Sequence, residues 1–298
     1  MSATLAAPLP GLRGRVARDA LLGPATWFRV GGPADWLVKP ADTDDLLRLL
    51  RRAEAPVTVI GAASNLIVRD GGVRGIVVRL ARGFSDIAAE ADGIVAGAGA
   101  LDVTVAERAA SASLSGLEFL SGIPGSVGGA VAMNAGAYGS EVADVLDWAE
   151  IATRDGLLRV AAADLRMAYR HASLPPGGIV VRARFRAARG DVAAIVARMA
   201  GVRASREASQ PVRARTGGST FRNPEGDKAW RLIEAAGYRG AARGGARVSE
   251  KHCNFLLNTG DATAADLEGL GEEVRAGVEA RTGVPLHWEI RRIGERAP

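Results

Sequence analysis

For its length, the chain contains few cysteine, histidine and aromatic residues. Of its 298 residues, one is cysteine and three are histidine, and Phe, Trp and Tyr together make up 5%. The single Cys253 excludes a disulfide framework and a metal site built from cysteines alone. The three histidines follow no metal-binding spacing, so we expect no bound metal. With 48% hydrophobic residues and few aromatics, the core must be built from Ala, Val, Leu and Ile.

The sequence also lacks an export signal and a continuous membrane span. The opening residues, MSATLAAPLPGLRGRV, have no apolar core or cleavage pattern, which predicts a cytoplasmic protein. The stretch from Phe119 to Ser140 carries no charge, but its glycines and Pro124 break any helix that would have to satisfy its own amides in lipid. We therefore predict a loop and no membrane insertion. Its free N–H groups are suited to binding an anion such as a phosphate.

The net charge of +5 permits nucleic acid, a membrane surface or a polyanionic small molecule as partner. The arginines are scattered and lie beside acids, as in RARFRAARGD and GEEVRAGVEAR, without a basic block interleaved with aromatics. This pattern favours a nucleotide-sized anion, and we expect no nucleic-acid partner.

The hydrophobic pattern of the first half predicts an α+β fold. Strands are predicted over 35–40, 57–62, 75–81 and 93–100, and helices over 43–54 and 101–114. Segments 145–153 and 157–165 flank an Asp-Gly turn and predict a hairpin, and a further strand is predicted over 178–187. Alternating units mixed with hairpins are typical of α+β proteins rather than of a regular doubly wound sheet.

The second half is predicted to hold three helices and a last strand. Helices are predicted over 191–208 and over 228–237, the second ending on Gly237. A third begins with Thr263 and Asp266 in capping-box spacing and stops at Gly283. The predicted strand 286–294 alternates apolar and polar residues, which directs Glu289 away from the apolar face.

Four glycine-rich segments occur in the first half: RVGGPAD at 29–35, GAASNLIV at 61–68, GIPGSVGGA at 122–130 and NAGAYG at 134–139. None is the GxGxxG fingerprint or a Walker A loop, and any one of them alone is more often a simple turn. Together they favour a dispersed phosphate cradle, and hence a large cofactor with a pyrophosphate.

Three polar candidates remain: YRHAS at 169–173, GGSTFRNP at 217–224 and Glu289. By themselves they are equally compatible with a surface arginine, a turn serine and an exposed strand glutamate. The run Lys251-His252-Cys253 has no partner motif that would make it catalytic.

Seven motifs, taken together, resemble those of a known protein family. In chain order they are TWFRVGGPAD, GAASNLIV, SGIPGSVGGAVAMNAGAYG, YRHASL, GGSTFRNP, GARVSEKHCNFLLNTGDATAADL and HWEIRRIG. They resemble the motifs of the UDP-N-acetylenolpyruvoylglucosamine reductase family, and the resemblance runs from about Thr26 to Gly294. The resemblance implies a two-part FAD-binding domain of the vanillyl-alcohol-oxidase type followed by a C-terminal α/β substrate domain. The implied limits are an N-terminal extension 1–22, an FAD-binding domain 23–190 with subdomains 23–80 and 81–190, and a substrate domain 191–298.

FAD is the cofactor that the resemblance implies, with NADPH as reductant. The implied FAD-binding residues are Val30, Gly31, Gly61, Ala62, Ala63, Ser64, Asn65, Gly122, Ile123, Pro124, Gly125, Ser126, Gly128, Gly129, Asn134, Gly136 and Ala137. At one of them the chain departs from its relatives, which commonly carry a second glycine where Ala63 stands. If that position has a positive φ, alanine is strained there.

The implied reaction reduces UDP-N-acetylglucosamine enolpyruvate to UDP-N-acetylmuramate, with hydride passing from flavin N5 to the enolpyruvyl group. The catalytic residues carried over by matching motifs are Arg170 for the substrate carboxylate, Glu289 for the enol oxygen and Ser219 as the proton donor. The substrate-binding residues carried over are Tyr169, Arg222 and Asn223. The short interval between YRHAS and IVVRARF has no room for the tyrosine-bearing loop of one subclass, so the chain resembles the subclass that lacks it. We expect a monomer.

Three alternatives stay open at the level of sequence. Another flavoprotein of the same fold would show no specificity for a UDP-sugar enol ether. A non-catalytic nucleotide-binding module would tolerate loss of Ser219. A nucleic-acid-binding protein would be retained on DNA in a salt-dependent way.

Overall fold

The computed structural model describes residues 11–297, and spatial contacts divide the chain into two compact units. The first unit holds the described residues up to Arg18, together with Trp36–Ala62 and Gly75–Ser205. The second holds Asp19–Asp35, Ala63–Arg74 and the described residues from Arg206 onward. The predicted domain limits follow the resemblance rather than spatial contacts, and they stay a prediction.

Eighteen strands are found in the described residues. They are β1 Arg15–Leu21, β2 Pro33–Lys39, β3 Val57–Ile60, β4 Leu66–Val68, β5 Val73–Arg79, β6 Ile87–Ala89, β7 Gly93–Gly97, β8 Leu114–Ser115, β9 Gly136–Ala137, β10 Ser140–Glu141, β11 Leu146–Ala152, β12 Leu157–Ala161, β13 Ile179–Arg186, β14 Ala188–Arg189, β15 Ala242–Arg243, β16 Ala246–Val248, β17 Leu256–Asn258 and β18 Arg291–Ile293.

Seven α-helices accompany them in the same described range. They are α1 Thr43–Arg52, α2 Asp102–Ser111, α3 Val127–Ala132, α4 Val142–Val145, α5 Val192–Ser209, α6 Ala229–Ala235 and α7 Ala264–Thr282. Short 3-10 turns lie at Gly23–Ala25, Arg82–Phe84, Glu118–Gly122 and Ala162–Leu165. The predicted helices and most of the predicted strands are therefore confirmed within a few residues at each end.

A four-stranded sheet has the strand order β1-β2-β5-β3. Strands β3 and β5 run parallel, with Val57 opposite Ile76. Helix α1 connects β2 to β3, and its side chains Leu46, Leu49 and Leu50 are buried in one cluster with Ile76. Strand β1 lies in the segment predicted as an N-terminal extension; residues 1–10 of that extension lie outside the described residues.

The larger sheet of the first unit is antiparallel and has the order β12-β11-β13-β7-β6. The predicted hairpin is confirmed, because β11 pairs with β12 and Ala149 lies opposite Val160. Helices α2 and α3 pack against this sheet and bury Val105, Ala109 and Val131 in the same core. The sheet thus gives a rigid base for the glycine-rich chain that runs through α3.

The second unit is built around helix α7. Its apolar residues Leu267, Leu270, Val274 and Val278 recur at helical spacing and are buried against α6 and the three-stranded sheet β15-β16-β17. Strand β18 pairs in parallel with β4 in the same unit.

Three of the predicted helix ends are confirmed in detail. Thr263 and Asp266 cap each other's main chain at the start of α7, and Gly283 ends it with φ +74°. Gly237, directly after the C-cap of α6, has φ +85°, as a left-handed stop requires.

The prediction of one continuous loop from Phe119 to Ser140 is wrong. The segment contains a short helix, α3, and the small hairpin β9–β10. Val127, Ala130 and Val131 lie one helical turn apart and are all buried, so apolar packing offsets the low helix propensity of the two intervening glycines.

The predicted last strand is too long. Regular pairing is confined to Arg291–Ile293, because the preceding residues leave the sheet and pair with another segment: Arg222 N–H donates to His287 O at 2.8 Å. The predicted alternation of burial is confirmed, since Leu286 and Ile290 are buried and Trp288 packs against the same core. Within residues 11–297, no helix is long and apolar enough to span a membrane.

Candidate functional site

The segment Gly122–Gly129 is hydrogen-bonded to the connection between β7 and α2. Three main-chain hydrogen bonds hold it: Asp102 N to Gly125 O at 3.2 Å, Val127 N to Ala100 O at 3.0 Å, and Gly128 N to Ala98 O at 2.9 Å. These bonds use the amides of Val127 and Gly128 and fix the direction in which the other amides point. The segment is therefore a preformed surface.

Three amides of this segment remain for a ligand. The N–H groups of Gly125, Ser126 and Gly129 donate no hydrogen bond to any residue in the described part of the chain. Gly129 is exposed, and a Cβ built on it would meet no described atom within 4 Å. Neighbouring main-chain N–H groups on an uncharged surface are what a phosphate requires. The residues present fit the diphosphate of a cofactor such as FAD.

A second glycine-rich segment touches this one. A Cβ on Gly61 would lie 2.4 Å from Ser126 Oγ, so a larger residue there would displace the serine side chain. Ala62 N–H donates to the same Ser126 Oγ at 3.3 Å. Gly122 is confined in a similar way, because a Cβ there would lie 2.6 Å from the ring of Tyr138. Ile123 and Pro124 continue the surface and are half-buried.

Gly136 and Ala137 form strand β9, which pairs with β10. Asn134, just before it, is fully buried, and its side-chain amide is hydrogen-bonded at both ends to protein main chain. The structure therefore encloses Asn134, and its predicted FAD contact stays a prediction.

The remaining predicted FAD residues lie in the second unit. Val30 is buried, and Gly31, at φ +127°, approaches Val68 so closely that a Cβ would lie 2.6 Å from Val68 Cβ. Ser64 and Asn65 are half-buried. Ala63 is buried and has φ +53°, which places the residue that departs from its relatives in the left-handed region.

Arg170 lies in a tight turn of the first unit. Ala168 and His171 exchange two main-chain hydrogen bonds, of 3.0 and 2.9 Å, and Arg170 between them has φ +57°. Its Nη2 donates to Gly136 O at 3.3 Å, and its guanidinium lies 5.1 Å from the ring centroid of Tyr169. Tyr169 is 47% exposed. A left-handed conformation at a bulky residue is strained and persists only where the surroundings impose it.

Ser219 and Glu289 lie on neighbouring segments of the second unit. The carbonyl of Thr220, the residue after Ser219, accepts a hydrogen bond from Glu289 N–H at 2.9 Å. The pairing continues to Phe221, which lies opposite Trp288, and both Ser219 and Glu289 are half-buried. Main-chain pairing thus places Glu289 opposite Thr220, the residue that follows Ser219.

A third segment joins them. Asn65 Nδ2 donates to Glu289 O at 3.2 Å, and Asn65 O accepts from Arg291 N–H at 3.1 Å. Arg222 and Asn223, predicted to bind substrate, are exposed, and Asn223 Oδ1 accepts from Ala229 N–H at 3.1 Å at the start of α6.

Sequence reasoning assigned no role to Asn254, whose side chain holds the main chain just after Ser219. This residue is 3% exposed; its Oδ1 accepts from Phe221 N–H at 2.9 Å and its Nδ2 donates to Phe221 O at 2.8 Å. An asparagine inside the apolar run CNFLL was the available signal. Its neighbour His252 accepts from Asn254 N–H through Nδ1, and burial lowers the pKa of His252 and raises that of Cys253. Burial therefore disfavours a reactive thiolate at Cys253.

The sequence also gave no indication that Asp102 is unusual. Its side chain is fully buried at the start of α2, and neither carboxyl oxygen has a hydrogen-bond partner among the described residues. Burial raises the pKa of Asp102 well above its usual value. Glu118 is the one titratable residue in the elements that pack closely on α2, and it is bonded to Arg198 and Ser115.

Known proteins match the chain along nearly its whole length. A family model described as UDP-N-acetylenolpyruvoylglucosamine reductase, C-terminal domain, matches residues 210–293, and one described as FAD binding domain matches residues 34–162. A UDP-N-acetylenolpyruvoylglucosamine reductase of Acidiphilium cryptum is 70% identical over 97% of this chain and 94% of its own length. That of Granulibacter bethesdensis is 65% identical over 95% of this chain and 92% of its own.

A solved structure agrees with these matches. The UDP-N-acetylenolpyruvylglucosamine reductase from Thermus caldophilus has a TM-score of 0.84 and 38% identity, and covers 95% of this chain and 100% of its own. The predicted α+β fold with an FAD-binding domain, and the prediction of FAD as cofactor, are confirmed. The roles of individual residues stay predictions. The chain belongs to the UDP-N-acetylenolpyruvoylglucosamine reductase family of FAD-containing oxidoreductases.

Proposed function

We propose that the protein reduces UDP-N-acetylglucosamine enolpyruvate to UDP-N-acetylmuramate for peptidoglycan synthesis, with NADPH as reductant, and that it acts as a cytoplasmic monomer. The observation that carries the proposal is the pairing of residues 220–222 with residues 287–290, which places Glu289 beside the segment that follows Ser219. Both residues match the motifs of a family that includes a relative 70% identical to this chain.

The glycine-rich surface of the first unit holds FAD in this proposal. The amides of Gly125, Ser126 and Gly129 bind the diphosphate, and close contact between Gly61 and Ser126 joins the two segments that form the surface. FAD, when bound there, would supply the hydride for the reduction of the enolpyruvyl group. The protein must then stabilise the negative charge that develops on the substrate.

Arg170 has the chemistry for that charge. A planar guanidinium carries a positive charge and binds a carboxylate through two parallel hydrogen bonds. The bond from Nη2 to Gly136 O and the cation–π contact with Tyr169 restrict its rotamers. An arginine that is oriented before the substrate arrives loses less entropy on binding and stabilises the enolate-like intermediate more strongly.

Ser219 supplies a proton in this proposal, and Glu289 supplies a hydrogen bond to the enol oxygen. The enolate carbon next to the carboxylate is a strong base, so the Ser219 hydroxyl can protonate it despite being a weak acid, provided that the geometry is right. Glu289 donates a hydrogen bond to the enol oxygen if its carboxyl group carries a proton. The main-chain bond from Glu289 to Thr220 keeps the two side chains on a common support.

Anaerobic spectroscopy of the purified protein tests the proposal. NADPH should bleach the flavin absorbance, and UDP-N-acetylglucosamine enolpyruvate should restore it. UDP-N-acetylglucosamine, which lacks the enolpyruvyl group, is the matched control and should leave the flavin reduced. A protein that bleaches but is not reoxidised by the enolpyruvyl substrate would retain the fold and contradict the substrate assignment. A protein that cannot take up FAD would contradict the role of the glycine-rich surface.

A further inference from the structure

Asn134 ends helix α3 in a conformation that few residues tolerate. Its φ is +46°, and it directly follows the C-cap residue Met133. Asparagine is, after glycine, the residue most often found at this left-handed position. The backbone alone would therefore accept glycine here, and the side chain needs a separate explanation.

That side chain connects two other segments of the first unit. It is 0% exposed; Nδ2 donates to Ala168 O at 3.1 Å, and Oδ1 accepts from Ala143 N–H at 2.8 Å. Ala168 is the first residue of the turn that carries Arg170, and its own N–H and C=O are bonded to His171. Asn134 thus anchors the base of that turn to the start of α4.

The same stretch of chain reaches the other end of Arg170. Gly136, two residues after Asn134, accepts a hydrogen bond from Arg170 Nη2 at 3.3 Å. The arginine is therefore held at its backbone, through Ala168, and at its guanidinium, through Gly136. Both contacts come from the three residues 134–136.

We propose that Asn134 is a positioning residue for Arg170, which holds the Ala168–His171 turn so that the guanidinium meets the substrate carboxylate, and that its side chain does not bind FAD. The inference rests on the proposed role of Arg170. The left-handed φ of Arg170, +57°, is a conformation that the turn must be forced to keep, and the bond from Asn134 supplies part of that constraint. A turn released from Asn134 leaves Arg170 charged but no longer oriented.

The variant N134G tests this because glycine preserves the left-handed backbone while removing both side-chain bonds. We expect flavin reduction by NADPH and the dissociation constant for FAD to stay at the parent values. Flavin reoxidation by the enolpyruvyl substrate should slow by about 10- to 100-fold, the scale of a misplaced catalytic group. A role in FAD binding predicts the opposite pattern, with weakened FAD and both half-reactions impaired, and would overturn the proposal.

A double-mutant cycle with R170A gives a readout that general destabilisation does not change. If Asn134 acts through Arg170, the double variant should reoxidise no more slowly than R170A alone, because the oriented group is already gone. N258A is the matched control: Asn258 is also buried and bonded to main chain, but its partners are Phe28, Gly260 and Ala262. Its effect, whatever its size, should add to that of R170A. Additive losses for N134G and R170A would overturn the proposal, and a parent-like R170A would overturn it together with the proposed function.

N134D covers the case in which N134G does not fold. Aspartate keeps the shape of the side chain and the acceptor for Ala143 N–H, but as a carboxylate it has no donor for Ala168 O. We expect its reoxidation rate to fall relative to the parent as pH rises, because a protonated carboxyl group can still donate and an ionised one cannot. A rate equal to that of the parent at every pH would contradict the inference.

Discussion

The side-chain amide of Asn65 donates a hydrogen bond to the main-chain carbonyl of Glu289 across 3.2 Å. Asn65 belongs to a glycine-rich segment predicted to bind FAD, whereas Glu289 is a predicted catalytic residue 224 positions later in the chain. Because Arg291 N–H returns a hydrogen bond to Asn65 O, Asn65 holds the main chain on both sides of Ile290, the residue after Glu289. The two bonds therefore attach the main chain that follows Glu289 to the glycine-rich segment.

Replacement of Ser219 by alanine should separate the two half-reactions. We expect flavin reduction by NADPH to be unchanged, because the serine is needed only after hydride reaches the substrate. Reoxidation by the enolpyruvyl substrate should slow by about 10²- to 10⁴-fold, the range for loss of a positioned proton donor. Stopped-flow absorbance of each half-reaction measures both rates.

The control for S219A is S111A. Ser111 is an exposed serine whose hydroxyl donates to Glu107 O within α2, so both of its half-reactions should match those of the parent. Equal losses in reduction and reoxidation by S219A would mean that Ser219 supports the structure rather than the protonation step.

Arg170→Lys should reduce substrate turnover although it preserves the charge. A lysine ammonium cannot form two parallel hydrogen bonds with a carboxylate, and charge-assisted bonds of this kind contribute about 1.5–3 kcal/mol each. The expected loss in kcat/KM is about 10- to 100-fold. Arg166→Lys is a close control, because Arg166 is an exposed arginine in the preceding turn with a positive φ of its own, +43°. Near-normal kcat/KM for R170K would remove the carboxylate clamp from the mechanism.

Much of the fold could be predicted from local sequence because local interactions decide it. The capping box at Thr263 and the stops at Gly237 and Gly283 depend on one or two residues and formed as predicted. The last strand was overestimated because residues 287–289 pair with a segment some 65 positions earlier, at Thr220–Arg222, and no local pattern reports such a partner.

The site was predicted less completely, and for a related reason. Motif matching names Ser219, Arg170 and Glu289, but it does not show what supports them. Asn254 and Asn134 support these residues through side-chain bonds to main-chain groups far away in sequence. Such bonds follow from the three-dimensional fold. An asparagine in a sequence is equally compatible with a turn, so it does not by itself predict a bond to a distant segment.

Ala63→Gly should leave the free energy of unfolding nearly unchanged. Glycine relieves the left-handed strain of alanine, worth about 1–2 kcal/mol. It also loses a buried methyl group, about 0.8 kcal/mol, and gains unfolded-state entropy, about 0.4–1 kcal/mol. Ala63 has φ +53° and is 4% exposed, so the strain and the burial of the methyl group both apply in full. The stabilising and destabilising effects of the substitution are therefore of similar size.

Ala106→Gly provides the contrast for A63G. Ala106 lies inside α2 and is 1% exposed, so glycine there brings no relief of strain and costs the helix propensity and the methyl burial, about 1–2 kcal/mol together. Urea unfolding measures both variants. Equal destabilisation by the two substitutions would show that the backbone at Ala63 is not strained in solution.

Asp102→Asn should change the pH dependence of stability. Burial raises the pKa of Asp102 in the folded protein, whereas in the unfolded chain it ionises near its ordinary value, about 3.9. Between these two values the folded state binds more protons than the unfolded state, so the free energy of unfolding falls as pH rises. Asparagine does not titrate, and the stability of D102N relative to the parent should therefore increase with pH above about 4.

Glu150 is a buried carboxylate with the opposite shift and so provides the control. Burial alone would raise its pKa, but Arg182 at 2.8 Å and Arg159 at 2.6 Å bond to it and the net pKa is lowered. Its ionised form stabilises the folded state above the unfolded-state pKa of about 4.3, and that stabilisation is lost as pH falls through the folded value. E150Q should therefore be less stable than the parent at neutral pH, and the deficit should shrink on acidification. Chemical unfolding of D102N from about pH 4 to about pH 8, and of E150Q from about pH 7 down to about pH 3, would give slopes of opposite sign. A D102N difference that does not change with pH would mean that Asp102 finds a partner or water in solution and ionises normally.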